Sequence, residues 1–147
     1  MKENQNTLDY NVWSAGEYKN SLENIVSIPS NVIAKTTKEW SVIGENSIHI
    51  KSTSDAIANF IIYFNQFDAG TVLTGKAHIR CIKGNASIRL VNQSTSTVIA
   101  STNIDDSTLG EVTVSGTNGG AGGVRLLIRI ANTDTELYID NISLTTS

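Results

Sequence analysis

The chain has 147 residues and a formal net charge of −3. That length suits one domain with its own core, and that charge excludes binding nucleic acid by bulk electrostatics. No apolar run is long enough to cross a bilayer, so membrane insertion is not expected, and Cys81 is the single cysteine, so no disulfide forms within the chain.

Residues 1–20 are polar, show no signal peptide, and read as a loose segment in which Trp13 is the candidate anchor. Residues 21–147 read as a single β-sandwich domain. Ser, Thr and Asn are abundant there and no convincing helical stripe occurs, which favours strands joined by turns. Strands are predicted over residues 22–28, 31–36, 46–52, 57–65, 75–82, 86–92, 98–102, 111–116, 124–131 and 136–144. Lys83-Gly84-Asn85 and Asn132-Thr133-Asp134 read as hairpin turns. The run Asn118-Gly119-Gly120-Ala121-Gly122-Gly123 leads into a strand and lacks a Lys-Ser or Lys-Thr pair. It reads as a flexible connection and not as a phosphate cradle, which needs a helix behind it.

The closing strand is the most informative. Leu137 and Ile139, then Ile142 and Leu144, alternate with polar residues, and the alternation breaks at Asp140-Asn141. A break of parity in a strand predicts a bulge. An acid within a core-facing strand is costly unless it accepts backbone hydrogen bonds or binds a cation.

The segment Tyr138-Ile139-Asp140-Asn141-Ile142-Ser143-Leu144 resembles the closing strand of carbohydrate-binding modules with a galactose-binding-like jelly-roll fold. The resemblance extends over about residues 25–145. Trp40 precedes a Gly44-x-x-Ser47 strand, and Phe60-Ile61-Ile62-Tyr63-Phe64 leads to Asp68-Ala69-Gly70. Strands from Ala77 and Ala86 follow in order. The resemblance implies an all-β fold, a two-sheet antiparallel β-sandwich in jelly-roll order. It also implies a non-catalytic module that recognises a polysaccharide or glycan, working extracellularly. The other class of function is a structural or adhesive module of a larger assembly at a virion or cell surface, with self-association or neighbouring subunits as partners. In the family a structural Ca²⁺ often uses the Asp of the closing strand. Asp140 maps onto that position, and Glu23 and Glu45 are partners by their place in the chain. The alternative is Asp140 accepting backbone N–H bonds.

Alternation assigns faces. Ile48/Ile50, Phe60/Ile62/Phe64, Ala77/Ile79/Cys81, Ile88/Leu90 and Val124/Leu126/Ile128/Ile130 point inward. Under the jelly-roll order, the strands at 46–52, 75–82, 86–92 and 124–131 are expected to share a sheet. Every arginine, Arg80, Arg89, Arg125 and Arg129, then lies on one outer face with His49, His78 and Lys51. Such a face is either solvated and paired across strands or a platform for an anionic or hydroxyl-rich ligand. Candidate ligand-binding residues are therefore Arg80, Arg89, Arg125, Arg129 and His78, with Tyr63 and Trp13. Trp40 is expected to plug one end of the core. No enzyme is expected: His78 and Cys81 point to opposite faces, and no pair of facing carboxylates can be placed.

Overall fold

The computed structural model describes residues 26–27, 32–42, 47–53, 57–130 and 134–146. Its strands are β1 (Val26–Ser27), β2 (Val32–Thr37), β3 (Ser47–Ser52), β4 (Ala58–Phe67) and β5 (Val72–Lys83), then β6 (Asn85–Asn92), β7 (Thr97–Asp105), β8 (Leu109–Thr117), β9 (Gly122–Ile130) and β10 (Glu136–Thr146). They build two antiparallel five-stranded sheets, ordered β1-β4-β9-β6-β7 and β2-β3-β10-β5-β8. After their central strands these are the β9 sheet and the β10 sheet. The expected all-β jelly-roll sandwich is the fold observed.

Period-two patterning makes the core. Ile48, Ile50, Phe60, Leu73, Ile79, Ile88, Leu90, Leu126, Ile128 and Ile130 have no exposed surface. Each contributes roughly 1.5–3 kcal/mol by leaving water. The expected bulge is present: the β10–β5 register shifts between Asp140 and Ser143, and Asn141 takes a left-handed backbone with φ 52°. Asn tolerates that conformation better than most residues. The shift lets Leu137, Ile139, Ile142 and Leu144 all reach the core.

Two predicted hairpins are instead crossings between sheets. β5 lies in the β10 sheet and β6 in the β9 sheet, joined by Gly84 alone. One residue is too short for the favoured two-residue hairpin loop. Gly84 has φ 82°, and a Cβ there would stand 2.7 Å from the Cα of Thr135. β9 and β10 also belong to different sheets. The chain between them includes Asn132 and Thr133, which lie outside the described residues, as does the segment 1–20 with Trp13. Consequently the strands expected to form one sheet are divided: β3 and β5 sit in one, β6 and β9 in the other.

The glycine-rich loop is pinned by side chains. Asn118 is fully buried, and its Nδ2 donates to the carbonyls of Phe67 (3.2 Å) and Asp68 (3.1 Å). Asn92, equally buried, donates to Asn118 Oδ1 (2.6 Å) and to the Gly120 carbonyl (2.7 Å). The Oδ1 of Asn92 accepts the N–H groups of Ser94 and Thr95. Two amides thus satisfy carbonyls and N–H groups that an irregular loop leaves open. They correct the expectation of a flexible connection.

Candidate functional site

The outer face of the β9 sheet is set by strand register. Arg125, Leu127 and Arg129 alternate with the core residues of β9, and Ser87, Arg89 and Val91 do so on β6. Ser87 pairs with Arg129 on one side and with Asn103 of β7 on the other. Arg89 pairs with Leu127, and Leu127 with Ile61 of β4. Val91 pairs with Arg125, which pairs with Tyr63. Ser87, Val91 and Leu127 are at most 8% exposed although their register turns them outward. The half-buried arginines therefore stand around a recessed floor.

At one end the recess deepens to a hollow of about 130 Å³ lined by Asn85, Ala86, Ser87, Arg89, Asn103 and Arg129. Ser87 Oγ accepts the Nε–H of Arg89 at 2.9 Å, which fixes the direction of that guanidinium. Among the described residues no carboxylate pairs with Arg89, Arg125 or Arg129. The Nε of Arg125 is buried without a hydrogen-bond acceptor among them. The described strands of this sheet carry one acid, Asp105, at the far end of β7. Its carboxylate is engaged by the hydroxyl (2.5 Å) and N–H (2.9 Å) of Ser107, which hold its pKa below the usual carboxylate range.

The outer face of the β10 sheet is built differently. Tyr138 pairs with His49 on β3 and with Arg80 on β5. The His49 ring stacks on it with centroids 4.7 Å apart, Trp40 packs at 6.1 Å, and the Arg80 guanidinium lies 5.9 Å from the ring centre. The phenol donates to Glu39 Oε2 at 2.8 Å, and His49 Nε2 meets Glu136 Oε2 at 2.6 Å. Burial, with Glu39 beside it, raises the Tyr138 phenol above its ordinary value. Asp140 has outward register yet no exposed surface. Its Oδ2 accepts the Val42 N–H at 2.8 Å, so the Lys38–Val42 segment lies across this face. His78 Nδ1 accepts from the Asn141 amide at 3.2 Å. Lys76 and Lys83 face Glu111 and Asp134, each at 3.9 Å.

The single arginine face expected from the sequence is therefore corrected. Arg89, Arg125 and Arg129 share the β9 sheet, whereas Arg80 and His78 lie on the opposite outer face, because the chain changes sheets at Gly84. Tyr63 joins the arginine-bearing sheet as the register partner of Arg125. Trp40 is half-buried against Tyr138 on the outside of the β10 sheet and plugs no core end. Cys81 points inward and His78 outward, as alternation implies; burial pushes the Cys81 thiol up.

Asp140 is the one expected calcium ligand among the described residues. Among them no three His, Cys, Asp or Glu side chains converge, and one Asp140 oxygen is engaged by Val42. A hard cation needs six to eight oxygens. Glu23 and Glu45 lie outside the described residues.

The hollow's Asn85, Ser87 and Asn103 escaped sequence reasoning. Polar residues of outward parity on a strand carry no signal of their own, and only the register puts them beside Arg129.

No protein-family model matches the chain, and no curated protein matches it. Solved structures do. TmCBM61, solved with beta-1,4-galactotriose, aligns with a TM-score of 0.62 at 15% identity, over 97% of this chain and 99% of that one.

 The xylan-binding domain CBM22-1 of Paenibacillus barcinonensis Xyn10C aligns with a TM-score of 0.64 at 8% identity, over 88% of this chain and 90% of that one. Tailspike protein 4 of bacteriophage CBA120 aligns with a TM-score of 0.66 at 15% identity over 97% of this chain, which spans 22% of the tailspike domain's length. The chain likewise spans 23% of an arabinose-bound α-L-arabinofuranosidase that it resembles. At these identities the likeness is one of fold: the chain has the jelly-roll fold of carbohydrate-binding modules.

Proposed function

We propose that the chain is a non-catalytic carbohydrate-binding module that takes a polysaccharide or glycan on the outer face of the β9 sheet, outside the cell or on a virion. The observation that carries this reading is the recessed floor among Arg89, Arg125 and Arg129, whose guanidiniums have no carboxylate partner among the described residues. Arginine offers a fork of donors suited to sugar hydroxyls and to anions. Ile61, half-buried on β4 beside Leu127, supplies apolar contact area for the carbon face of a sugar. The full-length likeness to modules described as xylan-binding and as holding a galactotriose supports the same reading.

A glycan array probed with the intact chain tests it. Binding to at least one glycan is expected, and it should vanish in Ser87→Trp, which fills the hollow, while the fold persists. Silence across the array, or binding unchanged by that substitution, rejects the β9 face as a glycan site.

The tailspike likeness favours a second reading, a structural or adhesive module of a larger assembly, with self-association or other subunits as its partners. Mass in solution separates the two: symmetric oligomers support assembly, and a monomer that binds glycan supports the module.

A further inference from the structure

We infer that the hollow between Arg89 and Arg129 selects an acidic sugar unit, its carboxylate or sulfate held by the two guanidiniums and its hydroxyls by Asn85, Ser87 and Asn103. This inference rests on the β9 face being a glycan site and adds the chemical class of the glycan.

The geometry comes from register. Ser87 is flanked directly by Arg129 and Asn103, so one row crosses β9, β6 and β7. Neighbouring strands lie about 4.8 Å apart, which makes that row roughly 10 Å wide, a width suited to one sugar ring. Arg89 stands one row along on β6, diagonal to Arg129 across the strand pair. Diagonal neighbours have Cβ atoms roughly 7–8 Å apart, a gap that two arginine stems close on a shared anion. Ser87 accepts the Arg89 Nε–H, so that guanidinium is aimed before a ligand arrives. Arg89 and Arg129 both line the one hollow with three hydrogen-bonding side chains, Asn85, Ser87 and Asn103.

The electrostatics point the same way. The whole chain is acidic, with 11 Lys and Arg against 14 Asp and Glu, so it repels polyanions in general. On the β10 sheet, two of the cations are met by acids: Lys76 by Glu111 and Lys83 by Asp134. On the β9 sheet, no described carboxylate meets Arg89 or Arg129. Two half-buried guanidiniums without a carboxylate partner repel each other across one hollow in the free protein. An anion removes that repulsion, and a neutral sugar does so only in part. Arg125, four residues along β9 and on the same face, lies about 13 Å from Arg129. It extends the cationic track so that a second acidic unit of the same polymer can be held.

The test compares polymers that differ in charge alone, using affinity electrophoresis of the intact chain. Polygalacturonate is set against its methyl ester, and dextran sulfate against dextran. The expected result is retardation by at least one charged polymer over its neutral counterpart, weakening as salt rises. Which charged polymer retards the chain identifies carboxylate or sulfate as the anion. Arg89→Gln and Arg129→Gln should each weaken that binding roughly ten- to hundredfold, the loss expected for a charge-assisted contact. Arg80→Gln, on the opposite face, should leave it unchanged. Thermal unfolding of each variant checks that the fold is intact.

Equal retardation by charged and neutral partners overturns the acidic selectivity while leaving the glycan-binding reading in place. Binding to charged polymers that survives both hollow substitutions, or falls equally in Arg80→Gln, overturns the assignment to the hollow. No retardation by any of the four polymers, together with a silent glycan array, rejects both readings.

Discussion

The hydroxyl of Tyr138 donates to Oε2 of Glu39 at 2.8 Å, tying the closing strand to a loop 99 residues earlier. The bond holds one end of a stack in which His49, Tyr138 and Trp40 cover the outside of the β10 sheet. Removing the hydroxyl alone, in Tyr138→Phe, should cost about 1–2 kcal/mol, the usual worth of a hydrogen bond to a charged group. Tyr138→Ala should cost roughly 3–5 kcal/mol, since the ring is almost fully buried. Chemical denaturation of the two variants measures the difference. A Tyr138→Phe variant as weak as Tyr138→Ala would mean that the hydroxyl, and not the ring, organises the stack.

Asp140 is the second tie between the closing strand and that loop. Asp140→Ala removes the acceptor of the Val42 N–H and should lower stability by about 1–3 kcal/mol. We propose in addition that Asp140, with Glu23 and Glu45, binds Ca²⁺. A ligand bound only by the native state raises stability by mass action. Melting in Ca²⁺ should then exceed melting in a chelator by several degrees for the natural chain (roughly 3 °C for each 1 kcal/mol). The gap should close in Asp140→Ala. Identical melting curves for the natural chain would reject the metal and leave the Val42 bond as the role of this acid.

Asn118→Ala should be among the most damaging polar substitutions. It leaves the carbonyls of Phe67 and Asp68, and the Nδ2 of Asn92, short of partners at a buried site. A loss of roughly 2–4 kcal/mol is expected, with Asn118→Asp also destabilising because a carboxylate cannot donate to those carbonyls. Hydrogen exchange across residues 117–123 reads the effect locally. Unchanged protection there would refute the pinning.

Gly84→Ala should destabilise through backbone and contact together. The residue has φ 82°, and the new methyl would press on Thr135 backbone, which cannot yield like a flexible side chain. Roughly 1–3 kcal/mol is expected for the strained conformation alone. Wild-type stability in that variant would show that the crossing relaxes.

Cys81 should resist alkylation in the native state. Its thiol is buried and its pKa is raised, chiefly by desolvation, so little of the reactive thiolate forms near neutrality. The stability gained by keeping the thiol neutral is present below its ordinary value and is lost as pH rises through the raised one. Iodoacetamide labelling should therefore follow unfolding; rapid labelling of folded protein would place the thiol in contact with solvent.

Alternation within strands made much of this fold legible. It assigned Ile48, Ile79, Leu90 and Ile128 to the core, and the broken parity at Asp140-Asn141 located the bulge. Alternation says which side chains share a face of a strand, but not which sheet the strand enters. Lys83-Gly84-Asn85 looks the same in sequence whether it folds a hairpin or crosses the sandwich, and reading it as a hairpin put Arg80 beside Arg89. Asn92 and Asn118 were unreadable for a related reason: their partners are backbone groups brought close only by the finished fold. The hollow was missed because Asn103 is adjacent to Ser87 only through the β6–β7 register.

The division of cations between the two sheets has a practical consequence at the bench. Every lysine on a described strand, Lys35, Lys51, Lys76 and Lys83, belongs to β2, β3 or β5 of the β10 sheet, while the β9 sheet has arginines and no lysine. Amine-reactive reagents couple to lysine and spare guanidinium groups. A sensor chip or resin loaded through primary amines on these strands will hold the molecule by one broad side, with the arginine-rich side turned to the flowing solution.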